Sequence, residues 1–286
     1  MFSMVAIDLD GTLLNSENQL DDKTIQALET AVENGIDIVI ATGRAHFDVW
    51  SILENTSLYP WVISANGAAI HSPDRELYIS VPLPKDTGME VLSWLHQQEF
   101  YYEAFTEKAI YTPHNSRKLL QIEQDRIKSA NPHADTASMQ KAAERQYSQT
   151  GFSFIESYLD LHDMNISLYN ILAVSFIEEK RQAGIDHFKY REDLTLVTSG
   201  DHNFEVEHTG ASKGLALERL ATELAVPLKD TAAIGDNYND ISMLETAGYA
   251  VAIGNAVDEV KTMSDHIVGT NDEYGVAEAL TYMMNS

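Results

Sequence analysis

The stretch Ser3-Met4-Val5-Ala6-Ile7-Asp8-Leu9-Asp10-Gly11-Thr12 decides how this chain is read. Met4 to Ile7 form a short unbroken apolar run, which predicts a buried strand, and Asp-Leu-Asp-Gly-Thr then predicts the loop that leaves it. Asp8 and Asp10 lie just beyond that strand, where an ionised carboxylate is costly unless a cation sits beside it. Oxygen ligands with neither Cys nor His nearby suit a hard cation such as Mg²⁺. Taken alone, the same residues also fit an ordinary turn.

Working outward, residues 22–34 predict an amphipathic helix with Ile25, Leu28 and Val32 on one face and Gly35 as its stop. Residues 36–41 predict a second strand, closed by Thr42-Gly43-Arg44. A helix over 46–54 and a strand over 61–64 complete a βαβαβ run, which implies a parallel sheet covered by helices. The pattern then changes. Residues 68–70 and 77–81 suggest a hairpin, and Pro82 and Pro84 mark a boundary. Beyond it come a helix, a hairpin around Glu107-Lys108, two polar helices and an apolar strand over 171–176. Another helix and strands near 194–197 and 204–207 follow, giving this segment an α+β character. The βαβ rhythm returns after Lys213, with strands expected at 231–235, 249–253 and 266–268 between helices at 215–224, 239–247, 257–263 and 275–283.

The expected architecture is therefore α/β. Residues 1–82 and 202–286 build a Rossmann-like parallel-sheet core, and residues 83–201 form an inserted α+β cap domain. An insertion beside the carboxyl ends of the strands would be well placed to act as a lid.

Composition narrows the function. A chain of 286 residues with 44 % hydrophobic content can bury one large core or two modest ones. It carries no run of roughly 20 apolar residues to span a bilayer, and its first ten residues lack the basic region of a signal peptide. With no cysteine there is no disulfide or thiolate chemistry, and a cytoplasmic address is the expectation. A net charge of −25 argues against nucleic-acid or anionic-membrane partners, which need concentrated Lys and Arg. It also means that an anionic substrate would need a local cluster of positive charge.

Three further motifs fall at strand ends or helix starts. Thr42-Gly43-Arg44 offers a hydroxyl and backbone N–H groups before a helix, a small anion nest or a plain turn. Ser212-Lys213-Gly214 opens a helix, and its lysine alone would be a solvated charge. Gly235-Asp236-Asn237-Tyr238-Asn239-Asp240 ends an apolar strand, and the spacing of Asp236 and Asp240 would put both acids near one face of a helix starting there. A helix cap accounts for one such acid but not for this density of Asp and Asn.

Together with Asp8-Leu9-Asp10-Gly11-Thr12-Leu13, this set resembles the haloacid dehalogenase-like hydrolases, and within them the Cof-type, subclass IIB phosphatases. Asn66-Gly67-Ala68 and residues 234–244 also resemble that subfamily. The resemblance covers nearly the whole chain in order and spacing, with residues matching in the core and only the layout matching in the cap. It implies a Mg²⁺-dependent phosphatase acting on small phosphorylated metabolites, sugar phosphates by default. Asp8 would be nucleophile and metal ligand, and Asp10 would be general acid/base and give its backbone carbonyl to the metal. Asp236 would complete the metal ligands, with Asp240 in support directly or through water. Thr42, Gly43, Lys213, Asn239 and the Leu9 N–H would hold the phosphate. Arg44 and Asn66 are candidate substrate contacts, although Arg44 suits a structural salt bridge equally well. A phosphomutase using the same intermediate, or a non-catalytic phospho-ligand sensor, are the alternatives.

Other chemistries find no support. His46, His71, His114, His133 and His202 show no metal-binding spacing. There is no Gly-x-Ser-x-Gly elbow and no P-loop. Tyr101, Tyr102 and Phe105 are expected to be hairpin and core packing rather than a substrate platform.

Overall fold

The computed structural model describes residues 2–131, 135–147 and 149–285, so His133 lies outside the described residues. The chain divides into two compact units, residues Met1–Val81 with Gly210–Ser286, and Pro82–Thr209.

The first unit is built on β1 (Met4–Asp8), β2 (Asp37–Ala41), β3 (Trp61–Ser64), β4 (Ala69–His71) and β5 (Leu77–Ser80). The second contributes β6 (Tyr101–Thr106), β7 (Ile110–Pro113), β8 (Phe152–Ile155), β9 (Leu168–Val174), β10 (Leu194–Val197) and β11 (Asn203–His208). The chain then returns to the first with β12 (Thr231–Gly235), β13 (Tyr249–Ala252) and β14 (His266–Ile267).

Among the described residues, the first unit's sheet runs β14-β13-β12-β1-β2-β3-β4-β5. Pairing is parallel from β14 through β3 and antiparallel for the β4–β5 hairpin, as the sequence suggests. Met4 to Ile7 are fully buried because helices cover both faces of this sheet, so the strand has no polar alternation. The helix Asp22–Glu33 buries Thr24, Leu28 and Ala31, whereas Val32 is 50 % exposed. Val32 was expected on the buried face, but Leu28 and Ala31 fill the stripe and the helical rotation carries Val32 outward. The helix stops where Gly35 adopts φ +81°.

Strand β1 sits between β2 and β12, so the chain leaves it toward one half of the sheet and returns after the insertion to build the other. That is a topological switch point, and the loops after the carboxyl ends of its strands are where such sheets bind ligands.

The second unit holds a sheet of order β10-β11-β9-β6-β7-β8, antiparallel except for the parallel β7–β8 pair. Its apolar core joins Val91, Leu92, Leu95 and Phe188 to Tyr102, Ile171 and Phe204. The expected boundary at 201/202 falls instead after Thr209, because Asn203–His208 pairs along β9 inside this sheet. Tyr101, Tyr102 and Phe105 are all buried, as expected of packing residues, but they occupy both faces of β6. Among the described residues, no helix is long and apolar enough to cross a membrane.

Candidate active site

The four motifs lie in the first unit, at the carboxyl ends of β1, β2 and β12 and at the start of the helix Lys213–Glu223. Each is locally dictated. Ser212 caps that helix by accepting a hydrogen bond from the Leu215 N–H at 3.1 Å, which fixes Lys213 as its first residue. Gly11 takes φ +83°, and a Cβ there would come within 2.6 Å of Asp236 Oδ2. Only glycine serves both demands, so the β1 loop can lie against Asp236.

Lys213 Nζ donates to Asp8 Oδ1 and to Asp240 Oδ1, both at 2.6 Å. Asp8, Lys213 and Asp240 are 4 %, 1 % and 0 % exposed, so these are charges held away from water. Burial first, then Asp240 and Asp236, raises the Asp8 pKa well above the usual carboxylate range, against the opposing pull of Lys213. Burial opposes the charge on Lys213, but Asp240 and Asp8 outweigh it and hold the ammonium more tightly than usual.

Asp236 and Asp240 come together, though not as two acids on one helical face. Asp236 follows β12, and a turn over Tyr238–Asp240 leads into the helix Ile241–Thr246. Asp240 Oδ2 accepts from the Asp236 and Asn237 N–H groups at 2.9 and 3.0 Å, folding the loop back on itself. Thr12 Oγ1 donates to Asp236 Oδ1 at 3.1 Å.

Among the described residues, Asp8, Asp236 and Asp240 form a group whose ligand oxygens lie within 4.8 Å of one another. An all-oxygen donor set with a carboxylate driven toward protonation is short of positive charge, and it fits a hard divalent cation. Both Asp240 oxygens already serve Lys213 and the loop N–H groups, so Asp8 and Asp236 are the better first ligands. His46 and His71 lie outside this group and stack on each other at 4.0 Å between ring centroids.

Asp10 lies outside the carboxylate group. Its Oδ2 accepts from Arg44 Nε at 2.8 Å and its Oδ1 from Nη2 at 2.7 Å, while Arg44 Nη1 donates to Asp48 at 2.6 Å. Arg44 is a candidate substrate contact with a salt bridge as its alternative, and its guanidinium pairs here with Asp10 and Asp48. Thr42 is buried, and its Oγ1 accepts from the Arg44 N–H at 3.1 Å. Asn66 sits at φ 51° after β3, where its Oδ1 accepts from Asn239 Nδ2 at 3.4 Å. A Cβ at Gly43 would lie 3.0 Å from that same Oδ1, so Gly43, Asn66 and Asn239 are neighbours. Leu9 is fully buried between the two acids. Thr12 belongs to the first motif, although its bond to Asp236 is not read from it; Asp48 and Ser242, whose Oγ accepts from the Gly214 N–H at 3.1 Å, lie outside every motif singled out. The spacing of Arg44 and Asp48 was the available signal for Asp48.

The switch-point carboxylate, the lysine that binds it and the flanking acid cluster sit on a Rossmann-like α/β core carrying a large α+β insertion. A family model of the haloacid dehalogenase-like hydrolases matches residues 5–280, and the chain belongs to that family. It is 50 % identical over 283 residues to "Phosphatase YwpJ" of Bacillus subtilis, covering 98 % of this chain and 99 % of the relative. It is 34 % identical to "5-amino-6-(5-phospho-D-ribitylamino)uracil phosphatase YwtE" of the same organism, covering 98 % of each. A solved haloacid dehalogenase-like hydrolase from B. subtilis superposes with a TM-score of 0.87 at 51 % identity, covering 98 % of this chain and 99 % of that one.

Proposed function

We propose that this protein is a cytoplasmic, Mg²⁺-dependent phosphatase that hydrolyses small phosphate monoesters through an aspartyl-phosphate on Asp8. The observation that carries this reading is Asp8 at the switch-point strand end, buried and bonded to Lys213 at 2.6 Å. Phosphatase names on relatives at 50 % and 34 % identity support it.

A carboxylate attacking a phosphate dianion meets charge repulsion, and Lys213 supplies one buried positive charge against it. Held by Asp8, Asp236 and the Asp10 carbonyl, with Asp240 in support, Mg²⁺ would supply the further charge that this attack needs. The Leu9 N–H, Thr42, Gly43, Lys213 and Asn239 would bind the phosphoryl oxygens, with Asn66 orienting Asn239. As the Asp8 Oδ–P bond forms, the ester P–O bond breaks and its electron pair leaves on the departing oxygen, which takes a proton from Asp10. In the second step a water oxygen bonds to phosphorus as it gives a proton to Asp10, and the Asp8 Oδ–P bond breaks with its electron pair returning to the carboxylate, releasing phosphate. Phosphate monoesters need accelerations up to about 10²¹-fold, so these groups act together rather than singly.

The favoured substrate is a small polyhydroxylated metabolite, a sugar phosphate or a close analogue. The second relative is named for a phosphoribityl compound, which is an alkyl phosphate of that kind. The net charge of −25 argues against nucleic-acid and anionic-membrane partners. The test is phosphate release from p-nitrophenyl phosphate and a sugar-phosphate panel, with Mg²⁺ or EDTA. Mg²⁺-dependent release is expected, falling about 10³-fold or more in Asp8→Asn. No release from any compound would sink the proposal.

A further inference from the structure

We propose that Asp48 is a positioning residue for the acid/base Asp10, acting through the Arg44 guanidinium; the inference rests on the phosphatase reading above. The three side chains form one chain of charge-assisted hydrogen bonds. Arg44 Nε and Nη2 hold the two oxygens of Asp10 at 2.8 and 2.7 Å, and Nη1 holds Asp48 Oδ2 at 2.6 Å. Side-chain exposures of 16 %, 11 % and 3 % for Asp10, Arg44 and Asp48 show that water competes little with these bonds.

A guanidinium is a rigid plane whose donors keep fixed directions. Anchoring Nη1 therefore orients the Nε–Nη2 fork and, through it, both oxygens of Asp10. The fork reaches across from the loop after β2 to the loop after β1, so Asp48 acts on a residue far from it in sequence. A helix-dipole role for an acid in the first turn of His46–Ile52 would be met by an exposed side chain. Asp48 is instead 2 % exposed, in a position that costs solvation unless its partner is fixed.

Asp10 delivers its proton to the oxygen that keeps the electron pair of the broken P–O bond. Nitrophenoxide leaves readily without that proton, whereas the more basic phenoxide depends on it. A displaced Asp10 thus slows one substrate more than the other, and a misplacement of ~1 Å can cost about 100-fold.

The experiment compares kcat/KM for phenyl phosphate and p-nitrophenyl phosphate, two substrates of nearly the same shape, in wild type and Asp48→Asn. This parameter covers the steps up to departure of the leaving group, so the shared release of phosphate does not enter. The ratio of the phenyl to the nitrophenyl value should fall roughly fivefold or more, a modest part of the 10²–10⁴ supplied by a general acid. An unchanged ratio, whether or not both rates drop, overturns the proposal, since general damage to the fold would slow both alike. Should Asp48→Asn not accumulate as folded protein, Asp48→Ala removes the same anchor from Arg44 Nη1, and the same ratio decides. A wild-type enzyme inactive on both compounds would overturn the phosphatase reading instead.

Discussion

Lys213→Met keeps most of the apolar length of the side chain and deletes the ammonium shared by Asp8 and Asp240. In the wild type, Nζ lies 2.6 Å from an oxygen of each, and all three residues are buried. Removing one member of a buried ion pair costs about 3–5 kcal/mol, because the remaining charge is left desolvated without a partner. Here two carboxylates are left, so we expect a loss of at least ~3 kcal/mol, a large part of the 5–15 kcal/mol typical of a whole domain. The loss depends on pH, and its sign follows from Asp8. Its folded pKa is raised above the ordinary 3.8, so its contribution to stability is full below that value and is lost as pH rises through the folded one. Without Lys213, whose charge opposes that rise, Asp8 takes up a proton more readily. The deficit should therefore be greatest near about pH 7.5 and smaller near about pH 5. Urea titrations of both proteins in EDTA, followed by circular dichroism, measure it. A deficit below about 1 kcal/mol at neutral pH, or one that grows toward acid, would refute the buried-charge account.

Two further outcomes follow from the same electrostatics. Mg²⁺ should raise Tm relative to EDTA, by about 2.7 kcal/mol of stabilisation at a hundredfold excess over Kd. This shift should shrink toward acid as Asp8 takes up a proton; a shift that is flat or larger at acid pH would exclude Asp8 as a ligand. Burial, with His46 adding to it, pushes His71 down to about 3 from its ordinary 6.5. Its stability contribution is therefore present above 6.5 and lost as pH falls toward about 3, roughly 2 kcal/mol by about pH 5. Its Nδ1 finds no hydrogen-bond partner among the described residues, so His71→Phe should fold and show a shallower acid slope in thermal melts. An unchanged slope would mean that His71 is not what titrates.

What was legible in the sequence was the chemistry carried by contiguous motifs. Asp8 and the Asp236–Asp240 loop leave a local trace in a buried strand end and an unusual carboxylate density, whereas Lys213, a solvated charge on its own, entered only through the resemblance of the whole motif set. The geometry between them left less. Asp236 and Asp240 were paired for a helical reason, whereas the loop closes through backbone N–H groups that any sequence would supply. Arg44 stayed undecided because its choice between substrate and Asp10 depends on how β1 and β2 are paired, which no single motif encodes. The end of the insertion was drawn before Phe204, although Asn203–His208 is a strand of the inserted sheet. Its alternation of Asn203, Glu205 and Glu207 with Phe204 and Val206 sets it apart from the continuous apolar runs of β1 and β12, a signal left unused in placing the boundary. Strand Phe152–Ile155 went unpredicted too, since it is short and lies at the sheet edge with Phe154 43 % exposed.

The central claim is that Asp8 takes the phosphoryl group, and trapping that species tests it most directly. Wild-type protein turning over p-nitrophenyl phosphate with Mg²⁺ is quenched in acid, digested and mapped by mass spectrometry. The account predicts one added phosphoryl group on the peptide containing Asp8, removed by hydroxylamine and absent from Asp8→Asn. A phosphoryl group on any other residue, or an Asp8→Asn protein that turns over normally, would contradict it.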